Sequence, residues 1–328
     1  MQMRWRVLDD IENAWRRGGL RYLVTGGTGF IGSHLARRLT DEGEEVSVVD
    51  TNPEFRIGDG LERVRVYKGD VSDATQLIGI AKKEQVDQIV HLAYLLIPES
   101  RESPVRAVRV NCEGTNNVFE ATRLLDLRRV VWASSIVVYG SAEEYGGRVV
   151  DEGDRLNPST IYGACKEFNE RMALHYHQTY GLDSIGLRFT VVYGPGRARG
   201  ASAFASDLIE RPALGLKAVV PYSDSLVDWM YVGDAVEAIL LSSKVKSTES
   251  KVFNTAGETH TIREAAGFVR ELVPDAEIDL QPGDLGWQMR INIDRARREL
   301  GYSPRFGLKA GMREHMKFIR ARRGLPPM

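Results

Sequence analysis

A chain of 328 residues, 43% hydrophobic and 27% charged, can bury one large core, or one with a smaller lobe grafted on, and is too apolar to stay disordered. Its net charge of −1 offers no electrostatic footprint for nucleic acid, and no apolar run approaches the roughly 18 residues of a membrane span. The two cysteines, Cys112 and Cys165, lie far apart in the sequence and form no CxxC, which argues against a disulfide framework and for a reducing, cytoplasmic setting.

Residues 1–19 mix Arg, Asp and Glu and lack the apolar stretch of a secretory signal. Leu8, Ile11 and Trp15 recur at helical spacing, so this segment reads as a short amphipathic extension docked on the body or on a partner, with a frayed leader as the rival. From Leu20 onward, short apolar runs at 22–25, 46–49, 64–67, 88–92, 130–133 and 184–189 alternate with helical stretches at 31–40, 74–83, 110–125 and 159–180. Six strands alternating with helices predict an α/β fold, a doubly wound parallel (Rossmann) sheet over 20–190. After 190 the pattern becomes irregular, with Gly and Pro at 194–196, 211–212, 221 and 282–283. This predicts a smaller C-terminal substrate lobe over 191–328, interleaved with a returning element near 232–256.

The first strand runs directly into Thr25-Gly26-Gly27-Thr28-Gly29-Phe30-Ile31-Gly32 and then into a helix. Gly26 permits the tight turn, Gly29 lets backbone approach a pyrophosphate, and Gly32 lets helix pack on strand. The helix start, through Phe30 and Ile31, offers amides and a partial positive charge to phosphate. Asp50 closes the second strand about twenty residues on, where a carboxylate accepts from ribose hydroxyls and repels a 2′-phosphate. The expected cofactor is therefore NAD. Asp70 and Val71 end the third strand, where an adenine edge would lie, although Asp70 also suits a helix cap.

Of twelve tyrosines only Tyr162 has a lysine four positions on, Lys166. Pro158 and Ser159 suit a helix start, and positions i and i+4 share a helix face. A free phenol titrates near 10, and a neighbouring cation favours its phenolate. Lowering it to about 7 takes roughly 4 kcal/mol, which Lys166 and a positive nicotinamide ring would supply together. The turn after the apolar run at 130–133 holds Ser134 and Ser135. Ser135 is the expected partner that holds a substrate hydroxyl beside Tyr162, and Ser134 is its rival.

Together these segments resemble the extended short-chain dehydrogenase/reductase superfamily, the NAD-dependent epimerase/dehydratase group. The likeness covers about 22–308: TGGTGFIGSHL at 25–35, HLAY at 91–94, NCEGTNNVFEAT at 111–122, SSIVVYG at 134–140, YGACK at 162–166, LRFTVVYGPG at 187–196, DWMYVGDAVEAI at 228–239 and DRARRELGYSP at 294–304. The resemblance implies Ser135, Tyr162 and Lys166 as the catalytic set. It also implies Lys166 on the nicotinamide ribose, Leu92 and Ala93 along the cofactor, and a homodimer that pairs helices 110–125 and 159–180. Where nucleotide-sugar enzymes of this group carry Asn before the YGP turn, Arg before the Asp of the RD motif, and Arg before the late PGD, this chain has Val191, Val227, and Leu280-Gln281. A diphosphate needs such donors. Arg197, Arg199 or Arg290 can stand in for them. Ile136-Val137 replace the Asp-Glu pair of the dehydratases.

The resulting expectation is an NAD-dependent enzyme that takes hydride from a secondary alcohol of a small polar substrate of sugar-acid or hydroxy-acid type. The alternative is a nucleotide-sugar 4-epimerase that recycles its cofactor. Tyr94, Ser135, Arg197 and Tyr231 are the candidate substrate contacts, with core packing the rival for Tyr94, Trp229 and Tyr231. His175 and His177 lack a third ligand at metal spacing, so no metal is expected. Neither nucleic acid nor membrane is expected as a partner.

Overall fold

The computed structural model describes residues 19–200, 202–286 and 289–327. The expected N-terminal extension lies, apart from Gly19, outside the described residues. Seven parallel strands form the main sheet: β1 (Arg21–Thr25), β2 (Glu45–Asp50), β3 (Arg65–Lys68), β4 (Gln88–His91), β5 (Arg129–Ser135), β6 (Ser184–Phe189) and β7 (Val252–Thr255). Their spatial order is β7-β6-β5-β4-β1-β2-β3. The order reverses between β1 and β4, and an open α/β sheet forms its ligand crevice at such a point.

Successive residues of a strand point to opposite faces, so a sheet covered on both sides needs strands that are apolar throughout. In β1, Tyr22 and Val24 pack toward α1 (Phe30–Asp41), while Leu23 packs the other way, with α2 (Ala74–Lys83), α3 (Gly114–Leu124) and α4 (Ile161–Tyr180). In β5, Val131 faces the first core, and Val130 and Trp132 face the second. Gly186 of β6 has no side chain because a Cβ there would strike the Trp132 ring.

The chain does not leave the sheet for good after β6. Helix α5 (Val232–Lys244) returns to the α1 face, and β7 then pairs with β6 from Val252↔Gly186 to Thr255↔Phe189. This seventh strand, four residues long like β3 and β4, hides inside the returning segment. A second return follows. Helix Asp294–Leu300 places Ala296 and Leu300, with Ile293 and Tyr302, in the same core as α5.

What remains is the smaller lobe. Strands Val191–Tyr193, Leu226–Tyr231 and Glu258–Thr261 make one sheet, and Ala218–Val220 pairs with Ile278–Leu280. Helices Phe204–Ala213, Ile262–Leu272 and Leu308–Arg322 cover them around Trp229, Phe204, Leu208, Ile262 and Met312. Gly257 is the tight join, since a Cβ there would fall on the Trp229 carbonyl. Among the described residues, no helix is long and apolar enough to cross a membrane.

One buried charge fastens the returning helix to the sheet. Arg129, at the start of β5, donates to Asp183 at 2.7 Å and to the carbonyls of Ser242 (2.7 Å) and Val245 (2.6 Å) at the end of α5. Replacing Arg129 by Met takes the donor from both buried carbonyls and leaves Asp183 only Lys251, 3.6 Å away. The expected cost is about 3 kcal/mol of stability, read as a lowered denaturant midpoint with an unchanged slope.

Candidate active site

A cleft of about 680 Å³ runs along the carboxyl ends of β1, β2, β4 and β5. All ten residues expected only along the cofactor, Gly26, Gly29, Phe30, Ile31, Gly32, Asp50, Asp70, Val71, Leu92 and Ala93, line it. Gly26 has φ +69°, and a Cβ there would lie 2.7 Å from the Ala93 nitrogen. A Cβ on Gly32 would meet the Gly26 carbonyl oxygen. Helix α1 starts at Gly29 with no side-chain cap, and its first internal bond is Ser33 N–H to Gly29 O at 2.9 Å. Gly29 N–H donates to Gly26 O at 3.1 Å, whereas Phe30, Ile31 and Gly32 line the cleft with amides that have no intrahelical partner, and this cradle fits a diphosphate.

Asp50 stands at the wall, with Oδ1 accepting the Asn52 N–H at 3.2 Å. Asp70 folds a local turn by accepting from Ser72 N and Ser72 Oγ, both at 2.9 Å. The cap of α2 is instead Asp73, which accepts from Gln76 N at 2.9 Å. Asp70 is therefore a turn-former on the cleft wall rather than the helix cap.

Thr160, not Pro158 or Ser159, caps α4 by accepting from Gly163 N at 3.0 Å. Gly163 allows the close approach of α4 to the turn after β5, because a Cβ would press on Val137 O and Pro158. Tyr162 and Ser135 thus meet at the cleft, close enough for the Ser135 hydroxyl to favour the phenolate. Ser134 has another partner: its buried hydroxyl donates to Glu170 Oε1 at 2.6 Å. That leaves Ser135, and not Ser134, with a hydroxyl at the cleft wall free of Glu170.

Lys166 is fully buried and does not itself line the cleft. Its Nζ donates to Ala133 O at 2.5 Å, packs on the ring of Tyr94 and lies 5.3 Å from the Tyr162 ring centroid. Burial opposes the charge of Lys166, holding it well below the usual lysine range, against the pull of Cys165 and Glu170. The Tyr162 phenol is not lowered toward neutrality. Burial pushes it up to about 12, opposed by the Arg197 cation and the Ser135 hydroxyl. The protein's own groups therefore do not supply the roughly 4 kcal/mol expected from Lys166 and a nicotinamide cation together.

Arg197, an expected substrate contact, lines the cleft close enough to Tyr162 to lower the phenol. Its Nη2 donates to Ser202 Oγ at 2.7 Å, its guanidinium lies over Phe30, and its Nε is buried with no hydrogen-bond partner. No carboxylate pairs with it among the described residues. Arg199 also lines the cleft; Arg290 is exposed and does not.

Tyr94 lines the cleft, but Tyr231 does not. Its ring lies 4.7 Å from Phe306 and 5.6 Å from Tyr193, because aromatic packing at the start of α5 draws it into the lobe. Trp229 is core. Of these positions only Val191 lies on the cleft wall; Val227 is buried in the lobe core, Leu280 packs at that core's edge, and Gln281 is exposed away from the cleft.

Two groups of functional weight escape the motif reading. Glu170 accepts from Arg188 at 2.8 and 2.6 Å, and Arg188 donates to Tyr139 Oη at 2.6 Å. The only sequence signals are Glu170 at i+4 from Lys166 and a lone arginine inside an apolar strand. His91, buried at the end of β4, bonds Thr25 Oγ1 at 2.6 Å and Thr115 Oγ1 at 3.0 Å. Burial and the Lys166 charge hold it well below the usual imidazole range, so it is neutral and structural.

Removing the Asp50 carboxylate tests the cradle. Asp50→Ala is expected to weaken NAD binding about tenfold (~1.4 kcal/mol) and to narrow the preference over NADP, measured by calorimetric titration of both cofactors.

Comparison with known proteins bears on this geometry. The profile of the NAD dependent epimerase/dehydratase family matches residues 22–256. UDP-glucuronate 4-epimerase 4 of Arabidopsis thaliana is 29% identical, covering 92% of this chain and 75% of that protein. The UDP-glucose 4-epimerase of Thermus thermophilus, in complex with NAD, superposes with TM-score 0.80 at 29% identity, covering 92% of this chain and 99% of that one. The holo GalE-like L-threonine dehydrogenase of Cupriavidus necator gives TM-score 0.80 at 25% identity, covering 90% and 99%. With its glycine cradle, Ser135, Tyr162 and Lys166 in one fold, the chain belongs to the NAD-dependent epimerase/dehydratase family, the extended short-chain dehydrogenases/reductases, and is an NAD-dependent enzyme.

Proposed function

We propose that the chain oxidises a secondary alcohol on a small substrate bearing a carboxylate, of sugar-acid or hydroxy-acid type. The observation that carries this reading is Arg197, a cleft-wall guanidinium with a buried Nε that nothing in the described chain satisfies. A guanidinium without an acid partner is matched by a ligand that brings one. Bound NAD supplies the hydride acceptor. Ser135 holds the alcohol oxygen, Tyr162 takes its proton, and Lys166 orders the base from behind through Tyr94 and Ala133. An apolar Val191 on the cleft wall weighs against a second, diphosphate-holding subsite.

The second reading is a nucleotide-sugar 4-epimerase, favoured by the named activity of the Arabidopsis relative. In that case the oxidised carbon is reduced again within the same turnover and no NADH accumulates. A panel of sugar acids, hydroxy acids and 3-hydroxy amino acids, followed at 340 nm beside UDP-glucuronate and UDP-glucose, separates the two. Net NADH from an acid that Tyr162→Phe abolishes supports the first reading; inversion of a UDP-sugar without net NADH replaces it. Arg197→Met is expected to raise KM for the acid about 100-fold (~2.7 kcal/mol). Deprotonated Tyr162 is the active base, and Arg197 lowers its affinity for the proton. The rising alkaline limb of kcat should therefore move to higher pH in Arg197→Met; an unmoved limb would separate Arg197 from the base.

The same reading makes the protein a cytoplasmic homodimer. Val105, Val108, Leu124, Ile161, Phe168, Leu174 and Tyr180 are exposed on the segments around α3 and α4, an apolar face that a second copy would cover. Light scattering should give twice the chain mass, and Phe168→Asp should give a folded monomer.

A further inference from the structure

A second cavity, of about 460 Å³, lies against the loop that carries Arg197. Gly196, Arg197 and Ala198 line both this cavity and the cofactor cleft, so the loop is their shared wall. The rest of the lining comes from the smaller lobe. Glu210 and Leu214 stand at the end of helix Phe204–Ala213, and Ile319, Arg322 and Arg323 at the end of helix Leu308–Arg322. The shared loop is held from both sides. Ser206 Oγ, on the first of those helices, donates to Arg197 O at 2.7 Å, and Gly196 packs on Arg56 and Ile57. Arg322 Nη1 in turn reaches Arg56 O at 3.4 Å.

Three guanidiniums, those of Arg197, Arg322 and Arg323, thus border one cavity, and among the described residues none of them has a carboxylate partner. The acid on this wall, Glu210, is engaged by the buried His315, Nε2 to Oε1 at 2.9 Å. The lining therefore carries an excess of positive charge even with Glu210 counted. A carboxylate is matched by one planar guanidinium, whereas a phosphate group offers oxygens to several at once and brings more than one negative charge. We propose that this cavity is a regulatory site for a phosphate-bearing anion, which acts on the active site through Arg197.

Arg197 is the link because it belongs to both walls. Among the described residues its side chain donates only through Nη2, to Ser202 Oγ, so the guanidinium keeps donors for ligands. An anion in the second cavity draws on the charge that a substrate carboxylate needs in the cleft. Each ligand then weakens the other, and by the same factor. This coupling rests on the acid reading of the substrate given above; the binding of the anion does not. Arg322 and Arg323 line only the second cavity, so they separate the two effects.

Inorganic pyrophosphate is the probe, titrated by calorimetry into the full chain saturated with NAD so that the glycine cradle is already filled. A single pyrophosphate should bind per chain, saturably and at physiological ionic strength. The double variant Arg322→Ala/Arg323→Ala should bind it about tenfold more weakly while keeping its NAD affinity, and Arg197→Met should weaken it by a similar factor. With an acid that the chain oxidises, bound pyrophosphate should raise KM about fivefold at unchanged kcat. The double variant should match the parent without pyrophosphate and show no such rise with it. The site is overturned if binding does not saturate, or if the double variant binds as the parent does, which makes the arginines a solvated helix end. The coupling is overturned if Arg197→Met binds as the parent does, if KM stays fixed, or if KM rises alike in parent and double variant, which places pyrophosphate in the cleft itself. If only a UDP-sugar is converted, the acid reading falls, and the titrations of parent and variants still decide the site and its use of Arg197.

Discussion

The arrangement of Ser135 and Tyr162 depends on a buried ion pair that does not itself line the cleft. Glu170 projects from α4 one turn beyond Lys166, and Arg188 from the penultimate position of β6. Their bidentate contact crosses from helix to sheet with both side chains in the interior. The remaining hydrogen-bonding capacity is met from neighbours, Ser134 on the carboxylate and Tyr139 on the guanidinium, and Tyr139 in turn donates to Asn254 at 2.8 Å. Such a pair stabilises only when its neighbours complete it, and it is costly to break from one side. Here it joins β5, β6, β7 and α4 at one point. The strand end that presents Ser135 and the helix that presents Tyr162 cannot shift independently of each other.

Around that anchor the charges of the site are left incompletely balanced. Lys166 faces carbonyl oxygen, an aromatic ring and sulfur, with the nearest carboxylate, Glu170, already engaged by Arg188. Arg197 meets a serine and a phenyl ring. Tyr162 is held protonated by burial. A site organised in this way is unfavourable for the isolated chain and becomes favourable as anionic and cationic ligand groups enter, which is the arrangement that preorganised electrostatic catalysis requires.

The cradle is legible in the sequence because each of its constraints is local. Gly26, Gly29 and Gly32 are needed by one turn, Asp50 by one strand end, and Tyr162 with Lys166 by one helix face. What stays hidden depends on contacts between segments far apart in the chain. Nothing near Ser134 announces that Glu170 will engage it and so leave Ser135 to the cleft. Tyr231 carries the same amphipathic ring as Tyr94, and only the positions of Phe306 and Tyr193 decide that it belongs to the lobe. The nearest cation in sequence points to a lowered proton affinity for Tyr162, whereas burial and the loop arginine at 197 set it in space. The strand β7, no shorter than β3 or β4, lies inside the returning stretch and is defined by its pairing with β6.

That last strand has a consequence for how the molecule is made. The sheet that cradles the cofactor is finished by residues 252–255, and α5 and the helix at 294–300 cover its face. A nascent chain that has delivered everything up to β6 holds the whole dinucleotide motif but leaves β6 as an open, apolar edge. Closing it requires pairing across more than sixty intervening residues that also build the smaller lobe. Assembly on the ribosome is therefore set by late, long-range contacts, and the interval before they form is when the chain is most exposed to edge-to-edge association and most dependent on chaperones.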